Sequence, residues 1–544
     1  MIQIVPLLFY FSSFLLFIIN ILFAIRDRNH MVSILLIAQS LLIANISLFV
    51  SYTLFGKDVY IEYYAITNTI IGGKIDFQNT FASALYDSVL VPVICMVTGT
   101  NPLFFYKIPY IFFIEFQVPV LLIILNKLCK NKMELKLSMI FSTLIPPWGY
   151  FSSVRFGISL TSFLDLVMLV INMSIKKRVT LADYLMLLLL SLSLPLGYYT
   201  LGIVSLILLL LLCFIFFTFQ NDGNILNALL FSAVIASVTS LLYFLYISTT
   251  LGLHILDSIN TLMRYPSIAE ERIEYTIGGG SVPYYINSLV KYFPYTIASL
   301  GIILELSMLI YKKVTKQLTS SYYKNDALIF IWLIIGLIIS MAMAFTRVGF
   351  VFFLIVFNPL FTLGIYHFYS ILFSLFSKKK VGKILIINLA SVLLITQFLG
   401  STYLIGSLLK LDTSSPVLDR TSIYRSDATE IFDYFMLKYL LTSFPSSNFK
   451  NLYSDIKIAN SIVSVASDLY PKRFPYKPTD INMNPYALVF FLKNQNVKGI
   501  LILSTYNVLS RKAIVPQGIV KVNPDDILVR HSLVYNDLSY LIYN

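Results

Sequence analysis

Long apolar runs separated by short polar connections dominate the first three quarters of the chain. The runs are rich in Leu, Ile and Phe and lack period-two alternation, so they predict helices and exclude the strands of a membrane barrel. They fall at 4–25, 32–54, 106–126, 137–152, 156–175, 182–195, 199–219, 225–247, 293–311, 327–345, 348–371 and 383–406. A bilayer core takes about 20 apolar residues per helix, and within it the backbone must satisfy its own hydrogen bonds. The pattern predicts an α-helical polytopic membrane protein with about 12 transmembrane helices. Two runs, 137–152 and 182–195, are short and are expected to tilt or to sit among neighbours. The first run, Ile4 to Ile25, is longer than a signal-peptide core and has no small-residue cleavage site before Arg26, so it is read as a retained helix.

Composition agrees with the pattern. Hydrophobic residues make up 58% of 544 and charged residues 12%, where a soluble domain carries about 25% charged. The basic residues set an orientation. With the N-terminus outside, the inner connections hold Arg26, Arg28, Lys127, Lys130, Lys132, Lys136, Lys176, Lys177, Arg178, Lys312, Lys313, Lys316, Lys324, Lys378, Lys379, Lys380 and Lys383. The outer connections hold fewer: Lys57, Lys74, Lys107, Arg155, Arg264, Arg272, Lys291 and Arg347. That bias follows the positive-inside rule. The net charge of +13 is mostly topology, so it gives no support to nucleic acid as a partner.

Two outer connections are long, 55–105 and 248–292, and long loops in a compact protein usually serve function. Within the first, Val89 to Val97 is apolar but too short to span, which predicts a helix lying on the outer membrane surface. The second contains the hinge-like run Gly278-Gly279-Gly280-Ser281. Beyond residue 409 the composition changes: residues 410–544 hold 15 of the 40 Lys/Arg and 11 of the 27 Asp/Glu. Strands are expected at 450–454, 498–503 and 519–522 and a helix at 456–469. The division is thus a membrane domain, 1–409, and a mixed α/β extracytoplasmic domain, 410–544. Cys95, Cys129 and Cys213 all lie in or beside apolar runs, leaving the soluble part without a disulfide framework or a cysteine-zinc site.

The candidate chemistry clusters outside the second helix, in Lys57-Asp58-Val59-Tyr60-Ile61-Glu62-Tyr63-Tyr64. Asp58 and Glu62 are four apart and share a face if this stretch is helical. Such a pair at a membrane surface can serve as a general base or bind a divalent cation such as Mg or Mn; the alternative is a solvated loop with two ordinary acids. Asp87 and Arg264 are further polar candidates in the two long connections. Lys107, Arg155 and Arg347 stand at outer helix ends, where basic residues are disfavoured. Binding a lipid phosphate is one reason to keep them there, and snorkelling to headgroups is the other. Glu115, Asp165 and Glu305 are single acids inside apolar runs and suit structural hydrogen bonding. His30, His254, His367 and His531 are scattered, so no zinc motif is present.

The arrangement resembles the GT-C superfamily of membrane glycosyltransferases, and more specifically its large, mainly archaeal members. The matching stretches are Gly56-Lys57-Asp58-Val59-Tyr60-Ile61-Glu62-Tyr63, Tyr86-Asp87-Ser88-Val89-Leu90-Val91-Pro92, Phe105-Tyr106-Lys107-Ile108, Arg155, and Val534-Tyr535-Asn536-Asp537 with Ile542-Tyr543. The resemblance implies transfer of a sugar from a polyprenyl-phosphate-linked (dolichyl-type) donor to an extracytoplasmic glycan, lipid or protein acceptor. It implies Asp58 as the catalytic acid of the first outer loop, supported by Glu62. It also implies Arg347, Arg155 and Lys107 around the lipid phosphate. The chain departs from the pattern at Tyr60, where a polar residue is expected. It departs again after helix four, where Arg155 stands without an acid, which favours a metal-independent relative. A transporter or flippase of lipid-linked sugars, and a membrane scaffold with an external binding domain, are the other classes.

Overall fold

The computed structural model describes residues 4–25, 57–75, 84–107, 117–129, 132–143, 154–176, 178–217, 223–248, 362–372, 380–401 and 435–440, the C-terminal strands, and isolated positions between them. The chain is mostly helical. In order come α1 (Ile4–Ile25), α2 (Lys57–Gly72), a π-helical turn (Tyr86–Leu90), α3 (Val91–Thr98), α4 (Pro102–Lys107), α5 (Gln117–Leu128), α6 (Lys132–Thr143) and α7 (Val154–Lys176). Then follow α8 (Leu181–Gly197), α9 (Tyr199–Ile215), α10 (Gly223–Leu242), α11 (362–372) and α12 (Lys380–Ser401).

The sequence explains several helix ends. Thr180 caps α8 in a reciprocal capping box with Asp183. Pro92 enters α3 in its first turn, where a missing N–H costs nothing. Gly73 after α2 and Gly99 after α3 adopt φ of +62° and +68°, the left-handed conformation that ends helices at low cost in glycine.

The packing of α7 to α10 reverses the soluble pattern. On α10, Ala228, Ser232, Ala233, Ala236 and Ser240 are buried, whereas Leu230, Phe231, Val234, Val238 and Leu241 are exposed. On α8, Leu181, Leu185 and Leu189 recur every fourth residue on the open face. A water-soluble helix places polar residues there. Small residues inside and large apolar ones outside are what helices need to approach closely in an apolar solvent. The same close approach brings Gly301 and Gly364 backbone to backbone, with no room for a Cβ on either. Some hydroxyls bond within their own helices: Ser174 donates to the Val170 carbonyl at 2.9 Å and Ser237 to that of Ala233 at 2.8 Å.

α10 continues through a π-helical turn to Ile247, and Gly223–Ile247 is the one helix among the described residues long and apolar enough to cross a membrane. α8 and α9 are 17 residues each and form a hairpin hinged on the single extended residue Tyr198. α12 returns to α1, where Phe398 stacks on Phe17 with ring centroids 5.1 Å apart; both helices also pack on α6.

Boundaries differ from the sequence reading in informative places. The expected helix 137–152 begins earlier, at Lys132, because the polar turns Lys132–Lys136 are helical and partly buried. Of the expected 106–126 helix, 106–107 fall in α4 and 117–126 in α5, and 108–116 lie outside the described residues. The connection 55–105 is largely helical. The runs 32–54, 327–345 and most of 293–311, the hinge at 278–281 and the helix at 456–469 lie outside the described residues.

In the C-terminal region β1 (Leu452–Tyr453), β2 (Ile500–Leu503), β6 (Tyr540–Tyr543) and β5 (Ser532–Asn536) form a sheet in that order. β1 pairs parallel with β2, β6 pairs antiparallel with β2, and β5 pairs antiparallel with β6 with a register shift between Leu533 and Tyr535. A separate hairpin pairs β3 (Lys512–Val515) with β4 (Gly518–Lys521).

One contact is open to direct test. The Tyr86 ring fills the space where a Cβ on Gly197 would stand. Gly197→Val is expected to destabilise the protein by about 1–3 kcal/mol through overpacking. Thermal unfolding in detergent should show most of that penalty vanish when Gly197→Val is made in a Tyr86→Ala background. Equal penalties in both backgrounds would mean that Tyr86 does not occupy this space.

Candidate active site

The connection between residues 57 and 107 is a folded helical cap. α2 packs on the π-helical turn, on α3 and on α4. Its buried face carries Glu62, Tyr63, Ile66 and Thr69, the i, i+4, i+7 spacing of one helix stripe. Thr67 and Thr69 bond back to the carbonyls of Tyr63 and Ala65. α2 thus enters the cap as an amphipathic helix with a carboxylate, Glu62, on its inward side.

Asp58 is the second residue of α2, one turn before Glu62, so the two share a helix face. An acid at that position also offsets the positive end of the helix. Glu62 is wholly buried, as is Asp87 in the π-helical turn. Two buried carboxyl groups on adjoining elements are costly to keep in an apolar setting without a purpose.

The cap is anchored by Tyr86. Its ring lies against Gly197, the last residue of α8, and its hydroxyl is 3.5 Å from the Ser162 hydroxyl of α7. Ser162 in turn donates to the Ile158 carbonyl at 3.0 Å. Arg155, Ser159 and Ser162 follow at i, i+4 and i+7 along α7 and share the face that receives the cap. Arg155 is the second residue of α7, two turns or about 10 Å beyond Ser162. Lys107 is the last residue of α4, which packs on α2 and α3. The side chains of Asp58, Lys107 and Arg155 lie outside the described residues, as do Arg264 and Arg347 entirely. The fold therefore gathers the elements bearing Asp58, Glu62, Asp87, Lys107 and Arg155, and leaves Arg264 and Arg347 unplaced.

The opposite end of the bundle is distinct. Lys127 donates to Asn172 at 2.8 Å, Lys132 to the Asn126 side chain at 3.0 Å, and Thr180 and Asp183 cap α8 there. Ser162 and Asn172 are ten residues apart on α7, about 15 Å along its axis. The cap and the lysine-rich end thus sit on opposite ends of the same helices.

Among the described residues no group of three or more His, Cys, Asp or Glu is arranged to hold a metal ion. Asp58 and Glu62 are oxygen donors of the kind Mg or Mn takes.

Ser162 and Gly197 are positions that sequence reading passes over, and Tyr86 enters it only within a motif of the resemblance. The Arg155, Ser159, Ser162 spacing is visible in the sequence; the pairing of Tyr86 with Gly197 is not, because nothing local links positions so far apart.

No known protein family matches the chain, and no curated protein matches it. Among solved structures it is similar to the archaeal oligosaccharyltransferase AglB from Archaeoglobus fulgidus, in complex with an inhibitory peptide and a dolichol-phosphate. The TM-score is 0.45 and the identity 11%, over 86% of this chain and 69% of that one. At that level the likeness assigns no family.

On the outward side of the cap, Val89, Leu90, Val93, Met96 and Val97 are exposed, whereas Cys95 is buried beneath them. Burial pushes the Cys95 thiol up to about 11, so at pH 8 only about one in a thousand is thiolate. Native protein is expected to resist iodoacetamide at Cys95 and to label after denaturation, read by peptide mass spectrometry. Rapid native labelling of Cys95 would contradict the buried position of α3's inner face.

Proposed function

We propose that the chain is a polytopic membrane glycosyltransferase that moves a sugar from a polyprenyl-phosphate-linked donor to an acceptor on the outer face. The observation that carries this reading is the helical cap. A segment bearing Asp58, Glu62 and Asp87 is folded onto the starts and ends of apolar helices, at the end away from the lysines. The inside-out surfaces of α8 and α10 support the membrane assignment. The motif resemblance supplies the donor class.

In this reading Asp58 accepts the proton of the acceptor hydroxyl as its oxygen attacks the anomeric carbon. The bond from that carbon to the carrier phosphate breaks, and the lipid phosphate leaves with its negative charge. Arg155, Lys107 and Arg347 stabilise that charge as it develops. Buried Glu62 holds the turn of α2 that presents Asp58, or contacts the acceptor. Asp87 and Arg264 border the acceptor side. No step is routed through a metal; whether Mg or Mn assists at Asp58 is a question for the assay. The region 410–544, read as an extracytoplasmic domain, holds the acceptor or a partner.

A transporter built on discontinuous helices expects an interruption near the middle of the membrane. α8 instead runs through Pro195 and ends two residues later at Gly197.

The test uses purified protein in lipid with a panel of polyprenyl-phosphate sugars, following release of free polyprenyl phosphate. Asp58→Asn is expected to lower release by about 10²–10⁴-fold, with Asp76→Asn unchanged. If both variants behave alike, or no donor is consumed by folded protein, the scaffold class takes precedence.

A further inference from the structure

The lysine-rich end of the bundle has more order than topology alone demands. Lys127 lies in the last turn of α5 and Lys176 ends α7, and cations there offset the negative ends of those helices. Yet the Lys127 ammonium bonds to Asn172 on the neighbouring helix at 2.8 Å. Asn172 lies one turn before Lys176 on the same face of α7. Burial, and then the charge of Lys176, hold Lys127 below the usual lysine range. Two cations are thus brought together from separate helices, at a cost.

The surplus grows with α6, which begins at this end and contributes the positive end of its dipole. Lys132 is tied to Asn126 by 3.0 and 3.4 Å contacts to its side-chain and backbone oxygens, and Lys136 is buried one turn on. Among the described residues here the carboxylates are Glu134 and Asp183. Asp183 is taken up by Thr180, accepting from its N–H and hydroxyl at 2.8 Å each.

We propose that the junction of α5, α6 and α7 is a binding site for a phosphate group, supplied by the headgroup of an anionic phospholipid on the inner face. Lys127 and Lys176 are its principal contacts, with Lys132 at its edge. A phosphate there relieves the repulsion between the two lysines and lies where the headgroups of the inner leaflet meet the bundle. The site is separate from the cap, at the far end of α7. It rests on the membrane reading above, though not on the transferase activity.

The experiment reconstitutes the full chain in nanodiscs of phosphatidylcholine with or without phosphatidylglycerol. Lipid retained after transfer to detergent is then counted by native mass spectrometry. Wild type is expected to retain phosphatidylglycerol, with affinity falling about fivefold for Lys127→Gln and for Lys176→Gln. Gln at 127 keeps a donor for Asn172, and Lys176 is exposed, so both variants are designed to fold; Lys127→Arg should bind as wild type does. Lys74→Gln, exposed at the other end, is the control. Displacement of retained lipid by modest inorganic phosphate assigns the site to free phosphate, and retention against excess phosphate assigns it to the headgroup. No retention by wild type, or equal loss in Lys74→Gln, overturns the site. Release of the protein from membranes by alkaline carbonate would overturn the membrane reading instead.

Discussion

The helices of this protein have little but themselves to bond to. Several of their serines and threonines turn back onto carbonyls one turn earlier: Ser174 to Val170, Ser237 to Ala233, Thr396 to Val392. On α10 the buried side is rich in Ala and Ser while Leu230, Phe231, Val234 and Leu241 face outward. Both features suit a setting in which water is not an alternative hydrogen-bond partner. Backbones then gain by approaching closely, as at Gly301 and Gly364, and large apolar side chains lose nothing by facing outward. Every later feature is built on surfaces set by that constraint.

The cap is one such consequence. A groove between α7 and α8 exists because α8 ends in Gly197, which offers no side chain. Tyr86 enters it and carries the π-helical turn with it, so Asp87 is buried one residue later. A turn of this width is rare and tends to occur where a side chain must be re-aimed. Here it re-aims the chain between α2 and α3, letting α2 bury Glu62 while α3 turns Val93, Met96 and Val97 outward. The acids and the apolar surface of the cap are therefore two sides of one packing decision.

How much of this was legible in the sequence depends on the range of the interaction. Run length and basic bias act locally, so α1, α7, α8, α9, α10 and α12 fall close to their expected positions. The start of α6 was read late because Lys132, Glu134 and Lys136 mimic a connection, although Lys132 finds a partner in Asn126 across the turn. The shared face of Asp58 and Glu62 was legible as a spacing, conditional on helix, and α2 supplies the helix. The burial of Glu62 was not legible, since it depends on α3 and α4 closing over α2. In the C-terminal region β2 and β4 were expected nearly where they stand. The segments of the β5–β6 hairpin enter the sequence reading only as a motif of the resemblance, Val534-Tyr535-Asn536-Asp537 with Ile542-Tyr543, because the pairing to β2 joins distant segments.

The two ends of α7 show why the fold treats its poles differently. At the far end Lys176 offsets the negative end of the helix, so that cation is locally stabilising. At the near end Arg155 sits in the first turn, where its charge adds to the positive end of the dipole. Two positive contributions in one place are unfavourable unless an anion is close. The π-helical turn bearing Asp87 packs on α7, with the Tyr86 hydroxyl 3.5 Å from that of Ser162, and α2 with Glu62 packs on that turn. Buried carboxyl groups in the cap and a first-turn cation on the helix that receives it stand at one end of an apolar bundle, where charges interact strongly. A reaction that separates a phosphate from a sugar gains most from such a place, because its transition state develops charge of both signs.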